Sequence, residues 1–534
     1  MNVSRMCIRW MVTALAAGSA GFCFDRDAAA QEGPTGVEEG VQVLMRGPVH
    51  EAFAEPLLFN PESGVIVPIA PPGPIEEVPP EQRLEGDNVA WIPGYWAWDD
   101  EANNFLWISG IWRALPSDRQ WVPGYWSRTD QGYLWISGYW ADAAVSEVEY
   151  LPEPPESLEV GPNVAAPSDN YIWAPGCWVW QKGWLLQPGR YLWRPGYWGI
   201  ANPDWDWIPS HFVWTPRGWI FVDGYWDYPV FRRGILFAPV RFDTSAYTRR
   251  GFFYSPRIVI DLTSFSDQLF MRPRYSHYYF GDYYSPDYYR AGFYPLFSAY
   301  SSRSGYDPIY ARSRWDHRRD RDWDNRVQTE YRYRRDHEEA RPPRTWAGWK
   351  KPGTSPAISR ERTAEIAAPL NEWTKKKDGP MRFQPLGGGE RQKLVESERD
   401  VGKFREERNI RESKKERPPA EPRVGKSKSE KVRLPRSPIV AKPADQRGKG
   451  QSPPKKHEAP KPDPKIRPKL KKEGNKPEPP KEKPKDQSKG GRQQTPAGAS
   501  NDTQGGSRDK PKAKAKDTRK GQGVVGGEDT DSKH

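Results

Sequence analysis

A six-residue phrase, Trp-x-x-Gly-x-Trp, recurs from residue 91 to residue 198 and limits what this chain can fold into. It reads Trp91-Ile-Pro-Gly-Tyr-Trp96, Trp107-Ile-Ser-Gly-Ile-Trp112, Trp121-Val-Pro-Gly-Tyr-Trp126 and Trp135-Ile-Ser-Gly-Tyr-Trp140, then Trp173-Ala-Pro-Gly-Cys-Trp178 and Trp193-Arg-Pro-Gly-Tyr-Trp198. The fixed positions are Trp91, Gly94 and Trp96; Trp107, Gly110 and Trp112; Trp121, Gly124 and Trp126; Trp135, Gly138 and Trp140; Trp173, Gly176 and Trp178; and Trp193, Gly196 and Trp198. Looser copies lie at Trp207-Ile-Pro-Ser and Val222-Asp-Gly-Tyr-Trp226, and Ser210-His211-Phe212 departs from the phrase. The first tryptophans stand at 91, 107, 121 and 135, a step of about 14. That is too short for a helical-pair repeat of roughly 33 residues or more. It fits one strand and one turn.

Residue types agree with strands. Trp, Tyr, Ile and Val suit a pleated, half-buried surface, and spacers such as Thr129-Asp130-Gln131-Gly132 are turn material. The expectation is a mainly β fold, an antiparallel meander of short aromatic strands. Alternation sets Trp91, Pro93 and Tyr95 on one face and Ile92, Gly94, Trp96 and Trp98 on the other. Both faces are therefore aromatic, and each Gly leaves a vacancy over which a neighbouring indole can lie. The Pro of each phrase cannot donate to a ladder. Two arrangements accommodate it: a bulged, bent strand at Pro-Gly, or a type II turn centred there. In the second, Tyr125–Arg128 and Tyr133–Ile136 form a hairpin joined at Thr129 to Gly132.

Elsewhere the chain is polar. Only 36% of its 534 residues are hydrophobic although 13% are aromatic, so the apolar residues are concentrated in part of the chain. Residues 401–534 hold 38 Lys+Arg and 19 Asp+Glu, so residues 1–400 carry a net −7 of the total +12. Six segments follow. Residues 1–30 read as a signal peptide, with Arg5 and Arg9, an apolar run, and Ala28-Ala29-Ala30 before the cleavage site. Residues 31–86 are an acidic, Pro-rich leader of polyproline character, with a short helix expected around Val49 to Leu58. Residues 87–226 are the repeat β domain. Residues 227–310 form a Tyr/Phe-rich α+β extension, with strands at Ile235–Val240 and Arg257–Leu262 and a helix from Thr263 to Phe270. Residues 311–345 form one charged helix whose Trp315, Arg319, Trp323, Val327 and Tyr331 make a stripe, with Asp322–Arg326 and Glu330–Arg334 as i,i+4 pairs. Residues 346–534 are a long disordered Lys/Pro-rich basic tail, with a weak helix from Glu390 to Lys415. After signal removal Cys177 is the one cysteine left, so an exported chain must hold together by aromatic burial.

Chemistry-bearing motifs are sparse. The seven histidines, at 50, 211, 277, 317, 337, 457 and 534, lack zinc-ligand spacing. Asp320-Arg-Asp322-Trp-Asp324 echoes a calcium loop without its Gly or its final Glu. Asp204 and Asp206 read as a polar strand edge. No nucleophile elbow, phosphate loop or dinucleotide fingerprint is present. The expectation is a protein that is not an enzyme, with no cofactor and no metal. The tryptophans form the one candidate surface, and Trp98, Trp180 and Trp184, outside the fixed positions, are the expected aromatic contacts. The basic tail suits an acidic envelope polysaccharide or another anionic surface rather than a specific nucleic acid. A protein partner or a glycan suits the Trp face.

The phrases resemble the Trp-x-x-Gly-x-Trp (WXXGXW) repeat family of bacterial exported proteins. The longer pattern resembles a group of secreted repeat proteins from planctomycete-type bacteria. It comprises Glu76-Glu77-Val78-Pro79-Pro80-Glu81, the repeats, His277-Tyr-Tyr-Phe-Gly-Asp-Tyr-Tyr284 and Arg341-Pro-Pro-Arg-Thr-Trp346, over about residues 48–350. The resemblance implies an exported repeat protein and transfers no functional residue. The functional expectation is an exported envelope-associated structural or interaction protein. A carbohydrate-binding module and an outer-membrane β-barrel are the alternatives.

Overall fold

The computed structural model describes residues 39–183, 188–262, 268–299, 301, 303–349, 367–376, 381–413 and 429–442. Every described residue lies within residues 1–468. The signal-peptide segment and Trp184 lie outside the described residues.

The fold is mainly β, built from many short antiparallel hairpins with a few helices. The expected antiparallel meander is corrected to a set of hairpins, because each phrase breaks at its Pro-Gly or Ser-Gly into two strands that join different ladders. Val89–Ile92 pairs with Ile111–Ala114, while Tyr95–Asp99 pairs with Asn104–Ile108. Two successive phrases thus make one double hairpin, opened in the middle. Arg119–Val122 with Tyr139–Asp142, and Tyr125–Thr129 with Gly132–Ile136, repeat the arrangement. So do Tyr171–Ala174 with Tyr197–Ile200 and Cys177–Gln181 with Arg190–Arg194. The loose copies complete a fourth unit, Asp206–Ile208 with Tyr225–Asp227 and His211–Thr215 with Gly218–Val222. The described sheets have two to four strands. The phrase glycines do not adopt positive φ, so the type II turn is excluded while its hairpin at Thr129–Gly132 is present.

The register explains both fixed tryptophans. First and last Trp of one phrase face last and first Trp of the next: Trp91 with Trp112, Trp96 with Trp107, Trp121 with Trp140. Their rings meet edge-on or tilted at 5.1–5.3 Å between centroids, the geometry aromatic quadrupoles favour. The first Trp also covers the Gly of its partner phrase. A Cβ on Gly110 would meet Trp91 Cζ2 at 2.5 Å, and one on Gly138 would meet Trp121 Cζ2 at 2.5 Å. The vacancy is therefore filled by an indole, and Gly serves close approach.

Non-repeat segments add strands to these hairpins. Val240–Phe242 pairs with the first unit and with Val41–Val43, Ile66–Val67 with the second, and Glu147–Leu151 with the fourth. The leader expectation is thereby corrected for residues 39–86. His50 to Phe53 is a buried turn rather than a helix, and Met45, Val49 and Phe53 belong to the main core. In the extension, Leu269–Arg272 is a strand paired with His277–Phe280, where the helix to Phe270 was expected, and residues 263–267 lie outside the described residues. The single charged helix is two, Pro308–Asp316 and Trp323–Asp336. Between them Trp323 stacks on His317 at 4.8 Å, and Arg326 pairs with Asp320 instead of Asp322. Glu330–Arg334 forms as expected, at 3.0 Å. The tail boundary also moves. Ala367–Pro369, Phe383–Pro385, the helix Gly388–Ser413 and Glu430–Arg433 are ordered elements within 346–534. Residues 443–534 lie outside the described residues.

Candidate functional site

The midpoints of the double hairpins concentrate the polar chemistry. Where Pro93-Gly94 passes Ser109-Gly110 the ladder opens, and the Glu77 carboxylate fills it. Oε2 accepts the Gly94 N–H and Oε1 the Gly110 N–H, each at 2.8 Å. In the second unit Glu51 accepts the Gly138 N–H at 2.9 Å and the Trp135 Nε1–H at 2.7 Å. In the third, Glu159 accepts from Gly176 N–H and, at 3.2 Å, from Trp173 Nε1–H. In the fourth, Ser210 Oγ accepts the Gly224 N–H at 2.9 Å. Each plug supplies acceptors for backbone donors that the Pro-Gly break strands inside the core, where an unpaired N–H is costly.

Carbonyls at the same breaks meet guanidinium groups from the helix Gly388–Ser413. Arg405 donates to Gly94 O at 3.3 Å, and Arg408 Nη1 donates to Pro123 O at 2.9 Å and Ser137 O at 3.0 Å. The two arginines stand one helical turn apart, so one helix serves the first two units. Arg408 is fully buried, paired with Glu412 at 2.9 Å, and Glu412 accepts the hydroxyls of Tyr125 and Tyr150.

Burial dominates the electrostatics. It pushes Glu77 up to about 7 against the opposing hydrogen bonds from Gly110 and Gly94, and Glu51 up to about 7. Glu398, which accepts the Trp91 Nε1–H at 3.0 Å, is pushed to about 9 by burial and then by the neighbouring Glu77. Burial lowers His277 to about 4 and His50 to about 3. His277 Nδ1 contacts the Tyr275 carbonyl at 2.6 Å and Nε2 contacts the Tyr95 hydroxyl at 2.9 Å. A neutral ring with its proton on Nδ1 satisfies both. These groups are hydrogen-bonded to one another and to the backbone at the breaks, an arrangement suited to fixing backbone.

The structure separates the three expected contact tryptophans. Trp98 is buried, 6% exposed and packed edge-on against Phe105 at 5.2 Å, so its expected role as an exposed contact is corrected. It faces the same core as Trp96, two residues away. Trp180 is half-buried on Cys177–Gln181 and lines a cleft of about 370 Å³ between the second, third and fourth units. Trp184 lies outside the described residues. None of the described tryptophans is exposed. Asp206, expected on a polar edge, is buried in an ion network with Arg233 at 3.6 Å and Arg312 at 3.1 Å. Among the described residues no three His, Cys, Asp or Glu side chains are grouped to hold a metal, and no helix is long and apolar enough to cross a membrane.

Sequence reasoning missed the plugs, although a signal existed. Glu77-Val78-Pro79-Pro80 and Glu159-Val160-Gly161-Pro162 share Glu-Val-x-Pro, and each Glu stands 14 residues before the first Trp of its unit. Glu51 precedes its unit by 70 residues and carries no such mark.

Comparison with known proteins meets this geometry directly. Residues 86–113, 121–141 and 169–198 match the model described as WXXGXW repeat (2 copies). The three stretches coincide with the first three double hairpins, so the two-copy match and the folding unit are the same object. The fourth unit folds alike outside the matched residues. No curated protein and no solved structure matches. Over those three stretches the chain is similar to the WXXGXW repeat.

Proposed function

We propose that this chain is an exported, non-enzymatic structural and interaction protein of the cell envelope. The plugged double hairpins are its scaffold, and the basic tail is an electrostatic tether to acidic envelope polysaccharide or another anionic surface. One observation carries the reading: the repeat indoles are paired across the ladders and the gaps of the first three units are filled by carboxylates, so the repeats hold together by aromatic packing and hydrogen bonds. The signal-like residues 1–30 and the net +19 of residues 401–534 support export and tethering. The test is co-sedimentation of the full chain and of a chain ending at residue 442 with purified envelope polysaccharide, at low and high salt. The full chain is expected to pellet at low salt and to be released at high salt. Equal pelleting of both chains at high salt contradicts the tether.

A second reading, carbohydrate binding through Trp, has its own support in Trp180 and its cleft. The barrel alternative lacks support from sheets of at most four described strands, since membrane barrels start at about 8.

A further inference from the structure

We propose that the cleft beside Trp180 binds a neutral pyranose residue of a glycan; the assignment rests on the carbohydrate reading and gives it a place. The cleft measures about 370 Å³, against about 10–40 Å³ for cavities beside Phe53, Leu57 and Leu58. That size falls within the roughly 300–1,000 Å³ of small-molecule sites. Its lining includes Tyr139, Leu151, Ile220, Phe404 and Leu434, with charged groups among them.

Trp180 is set as a platform. Its indole lies against Gly189, where a Cβ would meet Cζ2 at 2.2 Å, and Tyr191 props it edge-on at 4.9 Å. It is half-buried and lines the cleft. A backed, pre-positioned indole can take the apolar C–H face of a sugar ring with little ordering cost.

The charges select against an acidic sugar. The lining cations are Arg119, Lys182 and Lys431. Lys182 pairs with Glu149 at 3.1 Å and Lys431 with Glu147 at 3.6 Å. Arg119 donates to the carbonyls of Asp223 and Gly224 at 3.1 Å. Asp142 and Asp223 add two further carboxylates to the lining, so acids outnumber cations by one. Carboxylates accept sugar hydroxyls well and repel uronate or phosphate groups. The cleft and the tail therefore address different polymers, one neutral and one acidic.

Calorimetric titration of the full chain with cellobiose, chitobiose and mannobiose tests this, with digalacturonate as the acidic control. At least one neutral disaccharide is expected to bind saturably and independently of salt. Trp180→Ala is expected to weaken that binding by about tenfold or more, while Trp180→Phe retains most of it. Asp223→Asn, at an exposed position, is expected to weaken it severalfold with an unchanged melting temperature, and decides the matter should Trp180→Ala fail to fold. Absence of neutral binding, preference for digalacturonate, or unchanged affinity in Asp223→Asn and a folded Trp180→Ala overturns the assignment. Envelope co-sedimentation that persists without disaccharide binding removes the cleft site and leaves the scaffold standing.

Discussion

Glu77 holds two backbone N–H groups that no strand reaches. Glu77→Ala is expected to cost about 2–5 kcal/mol, because both donors stay buried and unpaired. Glu77→Gln keeps an acceptor and is expected to cost less. Thermal unfolding of the three proteins by circular dichroism gives the order, and an Ala variant as stable as the parent rejects the plug. Gly110→Ala is a sharper probe. Its Cβ would sit 2.5 Å from Trp91, so overpacking is expected to lower stability by about 1–3 kcal/mol, read in the same melts. The Gly-under-indole contact was legible from strand alternation, because both partners lie in the repeat, one in each of two successive phrases. The plug was not, because its carboxylate comes from outside. Alternation fixes which way a side chain points, but cannot say which distant acid enters a gap in a ladder.

At the level of elements, the double hairpin replaces the meander because a phrase is nearly symmetric about its centre. A Trp at each end lets the first half of one copy pair with the second half of the next. A periodic reading in single strands counts the same tryptophans and misses the pairing. The helix Gly388–Ser413 was legible as a helix but not as part of the core. Its buried residues include Arg408 and Glu412 besides Val395, Val401 and Phe404, and composition counts the charged pair as solvent-facing. Arg408→Ala is expected to destabilise by about 3–5 kcal/mol, since it strands buried Glu412 and two carbonyls. A chain ending at residue 349 is expected to melt well below one ending at residue 442. Coincident melting of those two chains shows that the helix is dispensable.

For the whole molecule, pH acts through buried acids. Glu51, Glu77 and Asp307 are raised to about 7, Asp206 to about 6 and Glu398 to about 9, burial being the first cause in each. A folded value above the unfolded one gives stability that is present at low pH and lost as pH rises through the folded value. His50 and His277, lowered to about 3 and 4, act oppositely and lose stability as pH falls. Five acids outweigh two histidines, so the melting temperature is expected to fall from about pH 5 to pH 9. Glu77→Gln is expected to flatten part of that slope, and a melting temperature that climbs over this range counts against the buried carboxylates. The placement of the plugs also governs how such a chain can lengthen. A 28-residue duplication spanning two phrases would copy the tryptophans but leave its new gap empty. Residues 77–114 and 159–200 carry their own acid and are the smallest transplantable blocks. The second unit, which borrows Glu51 from 70 residues upstream, can be inherited only together with the N-terminal segment that closes it.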